Sequence, residues 1–206
     1  MIVIKTNEAG YEEAIFGDGL SFGKTSGISF NDFINNPDYI TPYLSCEERT
    51  TSLAKKERGH DGSLALIQVW LDITAPRFWW QQFDTYFFKS QRSESTMHTL
   101  LKEEITEKNF SGYMNPGIIR MLNEEIGQGN FQAAKNILPE SFLQRRIVST
   151  NYLTLKNIFL QRKNHKLSEW QRFIWQVTTQ VNHPKLLPNI TEVIKNLSDK
   201  ETEGSQ

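Results

Sequence analysis

The segment "QQFDTYFFKSQRSESTMH", residues 81–98, concentrates groups able to recognise a flat polar ligand. The Gln82 amide carries a donor and an acceptor side by side, which suits a pyrimidine edge. The aromatics of "RFWWQQFDTYFF" can stack on a base or an isoalloxazine ring, because a π-face accepts any flat partner. More often such a cluster is a core or a subunit interface. Only Lys89 and Arg92 supply positive charge within the segment, so an anionic ligand would find few partners there.

Further along, "NYLTLKNIFLQR" reads as a helix. Asn151 and Arg162 are eleven residues apart in it, about three turns and about 16 Å. Leu155 and Ile158 share that face, so two polar groups flank an apolar floor. This could span a long ligand, or simply be a core helix with a cap at one end and a snorkelling arginine at the other. His60, in "RGHDGS", follows a helix-ending glycine and precedes a buried strand, where it is either an exposed turn residue or the rim of a pocket. Lys135 stands one turn before Leu138–Pro139, where a lysine also complements a helix end.

Other chemistries find less support. The four histidines, at 60, 98, 165 and 183, lack the short helical spacing of metal ligands. Cys46 is the only cysteine, which excludes an intramolecular disulfide. No Gly-x-Ser-x-Gly elbow marks a hydrolase. "GKTSG" hints at a phosphate loop, but Asp18 stands where the motif requires its first glycine, and a turn is expected instead. With 23 basic against 24 acidic residues, a broad nucleic-acid surface is not expected, and a single-stranded nucleic-acid binder using the aromatic cluster is disfavoured. No apolar run approaches the roughly 18 residues of a membrane helix. "MIVIKTNEAGYEE" lacks the basic and apolar regions of a signal peptide, and a cytoplasmic setting is expected.

The elements that must position these groups follow from periodicity and punctuation. "MIVIK" predicts a first strand, and the next forty residues, rich in Gly, Asn, Asp, Ser and Pro, predict irregular structure with brief strands. "CEERTTSLAKKERGH" predicts a helix stopping at Gly59. "SLALIQVWLDIT" predicts a strand buried on much of both faces, with Ala65, Ile67, Val69, Leu71 and Ile73 on one side and Leu64, Leu66 and Trp70 on the other. Pro76 is expected to open a short helix through "RFWWQQFDTY". Asn115–Pro116 should cap and start "GIIRMLNEEI"; "GQGN" interrupts, and "FQAAKNIL" resumes until Pro139. "SFLQRRIVST" suggests a strand. Ser168 with Gln171 predicts a capping box for a last helix whose apolar stripe is Trp170, Phe173, Ile174, Val177 and Val181. The expectation is one α+β domain over residues 1–190, with a mixed sheet and long helices in the second half, then a polar tail at 191–206 that frays.

Taken in order, these fragments resemble the flavin-dependent thymidylate synthases over about residues 50–182. That family has a helix ending in Gly-His, a strand, and a short helix carrying Gln ahead of an Arg-His-Arg-x7-Ser signature. An Arg-x-x-Leu-Pro segment and a helix carrying Asn, Asn and Arg follow. Here "RGH" ends at His60, Gln82 stands three residues before the signature position, Ser95 follows it at the family spacing, and Lys135 precedes Leu138–Pro139. "STN" at 149–151 leads to Asn157 and Arg162.

The resemblance implies catalytic roles for Ser95 and Arg162 and substrate contacts from Gln82, Lys135 and Arg162. It implies a cofactor set of His60, Ser90, Asn151 and Asn157. It further implies reductive methylation of dUMP or a related pyrimidine nucleotide, with FAD, NADPH and methylenetetrahydrofolate, in a homotetramer whose sites are shared between subunits. The departures fall on charged positions. Thr85, Tyr86 and Phe87 replace Arg-His-Arg; Met97 and His98 replace Arg-Tyr; Ala65 and Leu66 replace an acidic and a basic residue; Leu153 replaces an arginine. Each charge-assisted hydrogen bond is worth about 1.5–3 kcal/mol. The alternative expectation is therefore a non-catalytic relative that binds a nucleotide or a protein through the retained fold.

Overall fold

A computed structural model describes residues 1–56, 59–191 and 193. Four strands, β1 (Ile2–Ala9), β2 (Gln68–Pro76), β3 (Ser90–Ser93) and β4 (Leu143–Asn151), form one sheet in the order β1-β2-β4-β3. All three pairings are antiparallel, which corrects the expectation of a mixed sheet. The α+β class and the helix-rich second half are as expected.

One face of the sheet is apolar. Val3, Val69, Leu71, Ile73 and Val148 are buried there against Trp79, Trp170, Phe173, Ile174 and Val177. The covering helices are α4 (Arg77–Phe83), α8 (Tyr152–Arg162) and α9 (Ser168–Thr178). The stripe of α9 is buried as its 3.6-residue spacing demands. Helix α9 also shields the edge of β1. Gln176 accepts from the Val3 amide at 2.8 Å, Gln180 accepts from the Lys5 amide at 3.0 Å, and Gln180 donates to the Val3 carbonyl at 2.8 Å. Edge backbone groups are thereby used up inside the chain.

The stretch after β1 is helical, not irregular. It holds α1 (Tyr11–Ser21), α2 (Phe30–Asn35) and α3 (Ile40–Ala54). Gly17 and Gly19 masked α1 in the sequence, yet Gly19 is there for packing. A Cβ at Gly19 would lie 2.6 Å from Thr25 Cγ2 and 2.8 Å from Cys46 Sγ, so its absence lets α1 and α3 approach. Gly10 turns the chain from β1 into α1 at φ +95°, with the Leu66 carbonyl occupying the space of a Cβ. Helix α3 therefore begins earlier than expected and ends at Ala54; Gly59 sits in the following turn.

Three further local expectations are corrected. Residues Gly62–Ala65 form a 3-10 turn, so β2 starts only at Gln68 and Leu66 is exposed. Pro76 closes β2 and stands at the N-cap of α4, one position before the expected one. The Ser168–Gln171 capping box does not form. The buried Gln171 side chain instead donates to the carbonyls of Arg162, Lys163 and His165, at 3.4, 3.2 and 2.8 Å, and closes the end of α8. Those orphan carbonyls need donors more than the start of α9 needs a cap.

Helices α5 (Thr96–Thr99), α6 (Pro116–Gly127) and α7 (Phe131–Ile137) surround a second, smaller apolar cluster containing Leu100, Phe110, Leu122, Ala134 and Leu138. Asn115 caps α6 as expected, accepting from the Gly117 amide at 2.8 Å. The expected fraying of the tail at 191–206 falls, save for Thr191 and Val193, outside the described residues.

Candidate functional site

Two of the expected site residues meet directly. Trp80, anchored through its indole to the Gln144 carbonyl at 2.9 Å, fixes α4 to β4 and sets Gln82 at the end of that helix. Asn151 ends β4 and starts α8 by accepting from the Thr154 amide at 2.9 Å, and α8 then carries Arg162 to the same edge of the core. Gln82 Oε1 accepts from Trp170 Nε1 at 3.0 Å and from Arg162 Nη1 at 3.4 Å. Indole and guanidinium groups only donate, so the amide orientation is dictated by chemistry. Its acceptor is consumed inside the protein, and its NH₂ group keeps its donors.

The Arg162 guanidinium lies 4.9 Å from the Trp170 ring centroid and 5.6 Å from that of Tyr86. Its Nε donates to Tyr86 Oη at 2.7 Å, and Tyr86 Oη donates to Gln161 Oε1 at 3.1 Å. Tyr86 and Trp170 are the site residues that sequence reasoning missed. Trp170 was legible only as part of an apolar stripe, although a buried indole N–H has to find an acceptor. Tyr86 was legible only as a replacement for something else.

The other two residues expected on the substrate side, Lys135 and Ser95, lie at α5 and, among the described residues, are linked only through Thr96. Lys135 Nζ, at the end of α7, donates to the hydroxyl of buried Thr96 at the start of α5. Burial, with a smaller contribution from Arg77, holds the Lys135 ammonium below its usual pKa. Ser95 stands at the N-cap of α5; its carbonyl accepts from the His98 and Thr99 amides at 2.9 and 3.0 Å. Among the described residues no hydrogen bond or ion pair joins Gln82–Arg162 to Ser95–Lys135. Cavities of about 650, 710 and 580 Å³ lie elsewhere, against α3 and residues 184–190, between α1 and α2–α3, and beside His183.

The residues expected on the cofactor side are linked through their neighbours. Ser90 is exposed at the start of β3 and pairs with Ser149, two residues before Asn151. Asn157 is exposed on α8. The adjacent Lys156 is buried and forms an ion pair with Asp61 at 2.6 Å, while also donating to the Lys56 carbonyl. That pair fastens the turn carrying exposed His60 onto α8, an anchor invisible in the sequence. Asn151 has its Oδ1 occupied as a cap. His60, Ser90 and Asn157 keep exposed polar side chains able to donate or accept hydrogen bonds. They include no cation for a diphosphate.

The cations around the signature position are mostly spoken for. Arg145 makes two bonds to Asp72, at 2.8 and 2.5 Å, and these hold the Asp72 carboxyl below the usual range. Arg146 binds Asp84 at 3.1 and 3.0 Å and lies 4.2 Å over the Trp80 ring. Lys89 donates to the carbonyls of Asp84 and Tyr86, at 3.2 and 2.5 Å, and burial lowers its pKa. Arg92 is exposed and, among the described residues, bonds the Gln91 carbonyl alone, at 3.3 Å. Among the described residues no group of three or more His, Cys, Asp or Glu could hold a metal ion, and no helix is long and apolar enough to cross a membrane.

No family model matches this sequence, and no curated protein matches it. Solved structures do. A flavin-dependent thymidylate synthase ThyX from Helicobacter pylori, complexed with FAD and dUMP, superimposes with a TM-score of 0.71 at 20% identity, covering 91% of this chain and 98% of that one. A second structure of Helicobacter pylori ThyX with FAD and dUMP gives 0.71 at 17% identity, covering 96% and 99%. A UMP/dUMP methylase, PolB from Streptomyces cacaoi, bound with 5-Br dUMP, gives 0.62 at 15% identity over 95% and 94%. At such identities it is the backbone path that is shared. Over more than nine-tenths of its length, this chain carries the flavin-dependent thymidylate synthase fold.

Proposed function

We propose that this chain is a divergent flavin-dependent thymidylate synthase-like protein that takes a pyrimidine nucleotide, dUMP or a close relative, and methylates it reductively. The observation that carries this reading is the Gln82–Arg162 contact on a fold whose solved neighbours hold FAD and dUMP. In the proposal Gln82 and Arg162 grip the heterocycle, with Arg162 polarising it, and Ser95 stands beside the reacting carbon. Lys135 supports the anionic end. His60, Ser90, Asn151 and Asn157 hold FAD, with Asn151 acting mainly through the start of α8. When bound, FAD supplies hydride chemistry, replenished by NADPH, with methylenetetrahydrofolate as the one-carbon donor. A cytoplasmic setting belongs to the same reading.

A homotetramer is part of the proposal, because among the described residues no hydrogen bond or ion pair joins the two half-sites within one chain. One copy would contribute Gln82–Arg162 and another Ser95–Lys135. Exposed apolar side chains support this: Phe87 and Phe88 are 83% and 82% exposed, and Met97 and Ile147 are exposed as well. Apolar surface of this kind marks contact with another chain.

The second reading, a non-catalytic relative that binds a nucleotide or a protein, draws on a specific observation. Thr85, Tyr86 and Phe87 bring no charge to the signature position, and Arg145 and Arg146 are already paired with Asp72 and Asp84. Two measurements separate the readings. The visible spectrum of purified protein, with and without added FAD, reports flavin binding; tritium release from dUMP labelled at C5 reports turnover. A yellow protein that releases tritium supports the first reading. Thermal stabilisation by dUMP without release supports the second, and a colourless protein indifferent to both ligands removes the first.

A further inference from the structure

We propose that Tyr86, which occupies the middle of the replaced signature, is the positioning residue that holds Arg162 ready for the ligand. This rests on the reading above, since it concerns the heterocycle-gripping half of the same site.

The phenol is itself fixed before it acts. Its ring packs edge-on against Trp170, with centroids 6.1 Å apart at 69°, and tilts against Phe83 at 6.5 Å. Its hydroxyl proton goes to Gln161 Oε1 at 3.1 Å, so a lone pair, and not a proton, faces the Arg162 Nε–H at 2.7 Å. The guanidinium is then held by an acceptor at Nε, by the indole face of Trp170 at 4.9 Å, and loosely by Gln82 Oε1 at Nη1. Its Nη ends keep donors for an incoming acceptor.

A neutral phenol does something that a carboxylate in its place would not. It orients the guanidinium without cancelling its charge. Arg145 and Arg146 illustrate the opposite arrangement, since each is paired with a carboxylate. Among the described residues no carboxylate pairs with Arg162, so its charge remains available to an electron-rich ligand edge. The low local dielectric beside Trp170 strengthens that interaction. A flexible arginine would instead lose rotamer entropy on binding, and Tyr86 lets the fold absorb that cost.

The test uses the full-length protein with whatever FAD it retains, and dUMP and deoxyuridine as probes. Tyr86→Phe removes the hydroxyl and keeps the ring packing. We expect it to weaken dUMP binding in calorimetry roughly tenfold, the scale of one hydrogen bond to a charged group. The melting temperature should stay within about 3 °C of the parent. In ¹⁵N spectra, the Arg162 Nε–H resonance should be protected from exchange in the parent and lose that protection in Tyr86→Phe. If Tyr86 acts through Arg162, Tyr86→Phe should cause no further loss in an Arg162→Lys background.

Binding by Tyr86→Phe within about twofold of the parent overturns the proposal. So does a tenfold loss that persists in the Arg162→Lys background. If the parent itself binds neither dUMP nor deoxyuridine, the functional reading fails and the positioning role falls with it. Parent binding therefore tests the reading, and the Tyr86 variant tests this inference.

Discussion

Replacing Lys156 by Met removes one partner of a pair buried between α8 and the turn carrying His60. Both side chains are more than nine-tenths buried, and Lys156 Nζ reaches Asp61 Oδ2 at 2.6 Å and the Lys56 carbonyl as well. Met matches the lysine stem closely, so the cavity term is small. The loss comes from stranding the Asp61 carboxylate and a backbone carbonyl away from water. Breaking a buried pair from one side costs about 3–5 kcal/mol. For a chain of this size that corresponds to a fall in melting temperature of about 6–20 °C.

The double variant Lys156→Met, Asp61→Leu should recover most of this, because no charge is then left buried. The assay is reversible urea unfolding of the parent, both singles and the double, followed by fluorescence of the buried tryptophans. A Lys156→Met cost below about 1 kcal/mol would refute the reasoning, since it would mean that the pair is solvated. So would a double variant no more stable than the single. A functional consequence accompanies the structural one. If the pair fastens the His60 turn to α8, Lys156→Met should weaken FAD binding more than dUMP binding.

Two further outcomes follow from the fold. Gly19→Ala should destabilise by about 1–3 kcal/mol despite the better helix propensity of alanine, because its Cβ would press on Thr25 and Cys46; an unchanged or raised melting temperature would show that α1 and α3 can part at no cost. His183 stacks on Tyr11 with centroids 3.4 Å apart, and its pKa lies below the usual 6.5 because burial outweighs the pull of Glu8, Glu12 and Glu47. A depressed histidine favours the neutral form in the folded state, so its contribution is present above pH 6.5 and is lost as pH falls toward the folded value. Stability should therefore drop more steeply below that pH in the parent than in His183→Phe, which keeps the stacking; parallel curves would remove His183 as the cause.

Much of this architecture was legible before any coordinates. The stripe Trp170, Phe173, Ile174, Val177 had to face a core, Asn115–Pro116 had to start a helix, and alternation placed Val69, Leu71 and Ile73 on one buried face. Local periodicity encodes which face of an element avoids water, and this needs no knowledge of neighbours. Helix α1 was not legible. Its glycines argue against a helix locally, and the value of Gly19 appears only when Thr25 and Cys46 arrive against it.

The candidate site divides in the same way. Residue chemistry singled out Gln82 and the helix ending in Arg162, and the resemblance to the flavin-dependent thymidylate synthases added Ser95 and Lys135 to them. Which of them touch is decided by packing. Gln82 and Arg162 meet because α4, α8 and α9 converge on Trp170, whereas Lys135 belongs to the smaller cluster with Thr96. The roles of Tyr86 and of the Asp61–Lys156 anchor belong wholly to the tertiary structure. A hydrogen bond between residues seventy-six or ninety-five positions apart leaves no periodic trace in the chain; only the folded backbone brings its ends together.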